Sequence, residues 1–334
     1  MVVIKNTNCL QTAVSVFFVL ILHVFVFRSH PASADPGEVN NNGVQANDYI
    51  DNIFTSRKGV TLADYHRKWL DIAYANQSSS QVLDIYLPEE GRGPFPVIIA
   101  IHGGSFVKGD KQDFQIVPVL AALNRNYAVV AVNYRLSQEA KFPSQIQDVK
   151  AAIRWVRATG GNYELNREKI VVWGDSAGGN LAALVGTSEG VKELEDGAMG
   201  NPEQSSRVDA VVDWYGPIDF LSMGNQLKQI KQSPRKSNSS YIGKSKEEAP
   251  ERYISASPAT YIHPGMPPFL IQHGNRDQII PLQQSINFAS KLENILGKEK
   301  VTLNVIDNAN HLDEKFADPE NIKKVLDFFD TALK

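Results

Sequence analysis

The chain has 334 residues, 43% of them hydrophobic, with a formal net charge of −3. That length and composition suit one large domain with an ample core that needs no disulfides, and the slightly acidic balance offers no basic surface for nucleic acid. The single cysteine, Cys9, lies in the first segment of the chain, so removal of that segment leaves no disulfide, no thiol nucleophile and no cysteine-bound metal.

In chain order, residues 1–34 read as a signal peptide. Lys5 gives a weak positive start, Ala13 to Phe27 is apolar apart from Ser15 and His23, and Ala32-Ser33-Ala34 is a small-x-small cleavage pattern. The apolar run is short for a membrane span, which needs about 20 such residues, so cleavage is preferred to a retained anchor. Secretion or export to the periplasm is therefore expected, with no stable membrane insertion once the leader is removed. Residues 35–48 are polar, with Asn40 to Asn42 and few apolar side chains, and are expected to be disordered. The folded domain is expected over 49–334.

Leu70 to Tyr74 and Val82 to Leu87 alternate apolar with polar residues around a loop containing Ser78 to Ser80, which predicts an antiparallel hairpin. Pro94 to Ile101 and Tyr127 to Asn133 are near-continuous apolar runs, as expected of strands covered on both faces. Gln145 to Ala158 carries Ile146, Val149, Ala152, Ile153 and Val156 at helical spacing. Ile170 to Trp173 predicts a further buried strand. Beyond it, strands are expected at Val208 to Tyr215, Pro268 to Gln272 and Val301 to Ile306, and helices at Leu282 to Leu296 and Asn321 to Leu333. Such alternation after a hairpin implies a mostly parallel sheet with helices on both faces. Residues 222–251, rich in Lys, Ser, Gln and Asn, read either as a cap insertion over the active site or as a solvated loop.

The strand at Ile170 to Trp173 runs into Gly174-Asp175-Ser176-Ala177-Gly178 and then a segment able to start a helix. Glycines two residues either side of Ser176 remove the Cβ atoms that would clash on so tight a turn, and the turn lifts the serine Oγ above the sheet. A serine nucleophile needs a base, and the base an orienting acid. His311 follows the strand Val301 to Ile306, and Asp277 follows the strand ending at Gln272. Both therefore sit at the carboxyl ends of strands, where open sheets bind ligands. Ser176, Asp277 and His311 occur in the order of the α/β-hydrolase triad. His273 reads instead as a strand-end residue satisfying backbone groups. His66 precedes the core sheet and His263 falls in a Pro-rich loop, while Asp307 and Asp313 could in principle orient His311, but so close a neighbour usually points elsewhere and Asp277 is preferred.

The negative oxygen of a tetrahedral intermediate needs donors. His102-Gly103-Gly104-Ser105-Phe106 follows the strand Val97 to Ile101, which assigns an oxyanion hole to the N–H groups of Gly104, Ser105 and Ala177. Gly103 shapes the turn and His102 braces the loop. Asp175 is expected to bond neighbouring loops, Asp148 to fix the crossover helix near the elbow, and Trp214 and Tyr215 to pack in the core. No His/Asp/Glu cluster has metal-ligand spacing and no phosphate loop is present, so no cofactor and no metal are expected.

These motifs together resemble an α/β-hydrolase esterase of the hormone-sensitive-lipase-like kind, closer still to its secreted carbohydrate-esterase and feruloyl-esterase-like branch. The matching residues are His102-Gly103-Gly104, Tyr134-Arg135-Leu136, Phe142-Pro143 with Asp148, Gly174 to Gly179, Trp214-Tyr215-Gly216-Pro217, His273-Gly274 with Asp277 and Pro281, and His311. Ser105 departs from the pattern, standing where the lipase-like group has a third glycine. The resemblance implies a serine carboxylesterase acting on short-chain acyl, acetyl or feruloyl esters of small molecules or polysaccharides. Two other readings stay open: a prolyl-oligopeptidase-like exopeptidase, which the residues from Asp277 to Ser285 resemble, and a non-catalytic binding protein on the same fold.

Overall fold

The computed structural model describes residues 44–232 and 236–334; the expected signal peptide and the polar stretch up to residue 43 lie outside them. Helix α1, Val44–Ser56, starts ahead of the expected domain boundary at residue 49, so the end of the stretch read as disordered is helical. Its sequence carries only a short apolar stripe. Ile50 and Ile53 are buried, and a helix of this length takes its stability from such docking more than from propensity.

Strands β1 (Lys68–Ala73) and β2 (Val82–Tyr86) form the expected hairpin. β1 alternates half-buried and exposed residues along its length, as an edge strand should. Then follow β3 (Phe95–Ile101), α2 (Val117–Leu120), β4 (Ala128–Val132), α3 (Ser144–Thr159), β5 (Leu165–Asp175) and α4 (Ala177–Thr187). The second half runs β6 (Val211–Trp214), α5 (Phe220–Gln229), α6 (Lys236–Ile242), α7 (Pro250–Ser255), β7 (Phe269–Gly274), α8 (Gln283–Leu296), β8 (Val301–Ile306) and α9 (Pro319–Ala332).

These strands make one eight-stranded sheet in the order β1-β2-β4-β3-β5-β6-β7-β8. β2 pairs antiparallel with β1 and β4, and every later pairing is parallel. The period of two along each strand splits its apolar residues between two cores. Val97, Ile99 and Ile101 face one layer with α3, α4 and α8, while Ile98 and Ala100 face the other with α2 and α9. Residues 222–251 hold most of α5, all of α6 and the start of α7. Tyr241 on α6 is fully buried and stacks on Phe106 with ring centroids 3.7 Å apart. Among its described residues the insertion is therefore helical and packed against the domain, not a solvated loop.

Parallel pairing aligns the carboxyl ends of β3, β5, β6, β7 and β8 on one edge of the sheet. The loop with Gly104, the turn with Ser176, and the loops with Asp277 and His311 all leave from that edge.

Candidate active site

Ser176 lies between β5 and α4 with φ 52° and ψ −116°, a conformation that costs a non-glycine residue on the order of 1–3 kcal/mol. Its surroundings hold it there. The Ser176 N–H donates to the Trp214 carbonyl at 2.8 Å, and its carbonyl accepts from the Asn180 N–H at 3.0 Å. A Cβ on Gly174 would sit 2.1 Å from the Gly178 carbonyl oxygen, and one on Gly178 would sit 2.1 Å from that of Ile101. Only glycine at both positions lets the turn close against itself and against β3.

The tertiary fold brings the three sequence-assigned residues into one chain of hydrogen bonds. His311 Nε2 is 2.9 Å from Ser176 Oγ, and His311 Nδ1 is 2.7 Å from Asp277 Oδ2. A carboxylate only accepts, so Nδ1 carries the proton and Nε2 is left to accept from the serine hydroxyl. Asp277 Oδ1 is held in turn by the N–H groups of Ile279 (2.7 Å) and Ile280 (2.9 Å). Burial pushes the Asp277 carboxyl up, but the adjacent His311 and His273 outweigh it and hold this group well below the ordinary carboxylate range. Asp277 therefore stays ionised beside the imidazole.

The alternative residues are placed elsewhere. His273 Nε2 lies 2.9 Å from the Ile280 carbonyl and 3.2 Å from Asp277 Oδ2, and its Nδ1 is 2.7 Å from Ser285 Oγ. It braces the Asp277 loop from behind and does not reach the serine. His66 is exposed beside Glu89, and His263 lies in an exposed turn where it accepts from Gly265. Asp313 caps the turn that follows, accepting from Lys315, and Asp307 accepts from Asn275.

At the end of β3 the chain coils through positive φ at Gly104, Ser105 and Phe106. The N–H of Gly103 donates to Asp175 Oδ1 at 3.0 Å. Those of Gly104 and Ser105 donate to no acceptor among the described residues. The N–H of Ala177 opens α4 and has no intrahelical acceptor. His102 packs flat on Tyr134 at 4.5 Å and holds the Gly103 carbonyl through Nδ1 at 2.8 Å. Burial takes its pKa down to about 4, partly offset by that bond, so it is a neutral brace. Asp148 fixes α3 by tying it to the segment after β4 through Arg135, with Nη2–Oδ1 at 2.7 Å, and to Gln81 at 2.8 Å.

Sequence reasoning missed α1. Tyr49 Oη donates to the His311 carbonyl at 2.8 Å, and Arg57 Nη1 donates to the Leu312 carbonyl at 2.7 Å. Asp51 pairs with Lys108, just past the Gly104 loop. One helix thus pins both the histidine loop and the segment beside the free N–H groups. Tyr49→Phe removes a bond worth about 0.5–1.5 kcal/mol; the expected result is a roughly two- to tenfold fall in kcat with KM little changed, read by steady-state kinetics. An equal kcat would leave Tyr49 with no part in placing the imidazole.

Asp175 bridges Gly103 and Gln115, with Gln115 Nε2 at 2.5 Å from Oδ2. Burial raises its pKa to about 7 against the lowering effect of both bonds. A carboxyl with a raised folded pKa stabilises the fold at low pH, and that contribution is lost as pH rises from the unfolded value near 4 to about 7. Asp175→Asn keeps the shape without the charge. Its Tm relative to the parent protein is expected to be higher at pH 8 than at pH 5, checked by scanning calorimetry at both; a pH-independent difference would contradict the burial argument.

The family model BD-FAE matches residues 83–292, a span that contains the hairpin's second strand, the Gly104 loop, the elbow and Asp277. The chain belongs to the BD-FAE family. It is 30% identical over 237 residues to the "Probable carboxylic ester hydrolase LipM" of Mycobacterium tuberculosis, which covers 67% of this chain and 52% of that protein. Thus it spans about half the length of the curated relatives it matches. Among solved structures it is similar to a "Truncated form of carbohydrate esterase from gut microbiota", with TM-score 0.75, 33% identity, and coverage of 82% of this chain and 99% of that one. It is also similar to a bifunctional GH43-CE protein of Bacteroides eggerthii, with TM-score 0.73, 34% identity, and coverage of 80% and 35%. The fold is that of the α/β-hydrolase esterases.

Proposed function

We propose that this protein is a serine carboxylic-ester hydrolase that works through an acyl-enzyme. The observation that carries the reading is the unbroken sequence Asp277–His311–Ser176 at 2.7 and 2.9 Å. His311 Nε2 takes the proton from Ser176 Oγ as the oxygen attacks the acyl carbonyl. The carbonyl oxygen gathers negative charge against the N–H groups of Gly104, Ser105 and Ala177, donors already fixed before the reaction. The imidazolium, steadied by ionised Asp277, then hands its proton to the leaving alkoxide. A water repeats the sequence on the acyl-enzyme and frees the acid. Every proton moves between residues of this chain, substrate and water.

Esters of carbohydrates are the proposed substrates, carrying acetyl, feruloyl or other short acyl groups. The support is the likeness to a protein described as a carbohydrate esterase. The leader at 1–34 supports action outside the cytoplasm; amino-terminal sequencing of protein from its native host is expected to start at Asp35, and a start near Met1 would oppose export.

Hydrolysis of p-nitrophenyl esters from acetate to palmitate, with acetylated xylan and methyl ferulate alongside, tests the reading. Turnover that falls steeply with chain length supports it, and the two added substrates decide for or against plant-wall polysaccharide. Absence of turnover by folded protein on the whole series would overturn it.

A further inference from the structure

Residues 222–246 carry five lysines, one arginine and no acidic residue, in a chain whose formal net charge is −3. Elsewhere Lys108, Lys111, Lys150 and Lys323 each have a carboxylate partner, whereas Lys228, Lys231, Lys236, Lys244 and Lys246 have no ion-pair partner among the described residues. Charge of one sign gathered in this way raises the local concentration of anions. Lys228, Lys236 and Lys246 line a cavity of about 350 Å³ between α5, α6 and α7, within the range of small-ligand sites, about 300–1,000 Å³. Buried Phe220 and Tyr253 form its inner wall, Asn238 adds an amide, and Glu247 is the one acid among the described lining residues. The insertion stands beside the reacting serine. α5 follows the loop at the carboxyl end of β6, and Asn180 of α4 donates to the Pro217 and Ala256 carbonyls at 2.7 and 3.3 Å. Phe220 of the cavity wall lies 6.5 Å from the ring of Phe106, the neighbour of Ser105.

We infer that this cavity takes a carboxylate-bearing sugar, so that the carbohydrate whose ester reaches Ser176 is an acidic one, a chain containing uronate units. The inference rests on the esterase reading and names the alcohol half of its substrate. A polyuronate repeats a carboxylate on each sugar and so meets several lysines at once. Lysine suits such a partner, because its point charge on a flexible stem follows carboxylates at differing spacings. Nucleic acid is a poorer match. Single strands are held by bases stacked on aromatic side chains, and Phe220, Tyr241 and Tyr253 are all buried. A membrane surface calls for a broad apolar face, and of the large apolar residues described in α5, α6, α7 and their connections, Ile230 and Ile254 are the exposed ones.

Calorimetric titration of the full chain with trigalacturonate and with neutral galactotriose tests the binding and needs no turnover. At about 20 mM salt, where screening is weak, trigalacturonate is expected to bind about tenfold more tightly, as three exposed ion pairs together supply. At about 0.5 M salt the difference is expected to shrink to about twofold or less. Lys228→Gln, Lys236→Gln and Lys246→Gln combined are expected to remove it. Lys298→Gln with Lys300→Gln, which take charge from the amino end of β8 on the opposite edge of the sheet, are expected to keep it. Activity then tests whether the site lies on the substrate's path. Acetate release from acetylated polygalacturonate is compared with release from the same polymer after methyl esterification of its carboxyls, each relative to p-nitrophenyl acetate. The acidic polymer is expected to show about tenfold higher kcat/KM in the parent protein and no advantage in the triple variant. Turnover of no ester, with trigalacturonate still bound, would count against the esterase reading alone and leave the carboxylate site standing. Equal binding of the two trisaccharides, a preference that survives the triple variant, or equal turnover of the two polymers by an active enzyme would overturn the inference. Tighter binding of a thymidine trinucleotide or of phosphatidylserine vesicles than of trigalacturonate would overturn it as well.

Discussion

Ser176→Ala is expected to lower kcat on p-nitrophenyl acetate by about 10⁶, as removal of the nucleophile does in other serine hydrolases. The substitution deletes one oxygen and leaves the residue in the same left-handed backbone conformation. The N–H groups of Gly104, Ser105 and Ala177 stay where they are, so the KM is expected to change little. The fold is expected to be unharmed, because the strained turn is held by the Trp214 and Asn180 backbone bonds and not by the hydroxyl. A thermal melt beside the kinetics separates lost chemistry from lost structure. Turnover near that of the parent protein would remove Ser176 from the mechanism.

Asp277→Asn comes next, with an expected fall in kcat of about 10⁴. The reason is a matter of which way the new amide must point. Asp277 Oδ1 accepts two N–H bonds, from Ile279 and Ile280, and those donors demand an oxygen. The amide NH₂ is therefore turned towards His311 Nδ1, where Oδ2 now stands. Two donors cannot share that contact, so the His311 proton moves to Nε2 and faces Ser176 Oγ, where an acceptor is required. The imidazole is in place but holds its proton on the wrong nitrogen. Melting temperature is expected to change far less than kcat, since the amide keeps three of the local contacts. A kcat within tenfold of the parent value would show that Asp277 does not set the tautomer, and attention would pass to the rest of the His311 loop.

Much of this was legible in the residues because it depends on near neighbours. The β3, β4 and β5 segments are apolar on both faces, which admits only a strand with helices above and below. Gly174 and Gly178 flank Ser176 because a Cβ at either position would collide with backbone. Strand order could not be read in the same way. β4 lies between β2 and β3, a placement set by which apolar faces cover which, and no local pattern encodes it. The helix α1 escaped because its apolar stripe is short, and only its contacts with the His311 and Lys108 loops give it a purpose. Asp148 escaped in part, since its partner Arg135 is found by a turn of chain whose path depends on where α3 packs.

By itself, then, the sequence determined the elements, the strained serine turn and the chain order of serine, acid and histidine, because each rests on interactions within a few residues. Tertiary structure alone decided that His273 braces the acid from behind and that Tyr49 of α1 holds the His311 loop. Ser176 and His311 are 135 positions apart. Their approach to hydrogen-bonding distance is set by the parallel alignment of β5 to β8, which places the carboxyl ends of distant strands side by side.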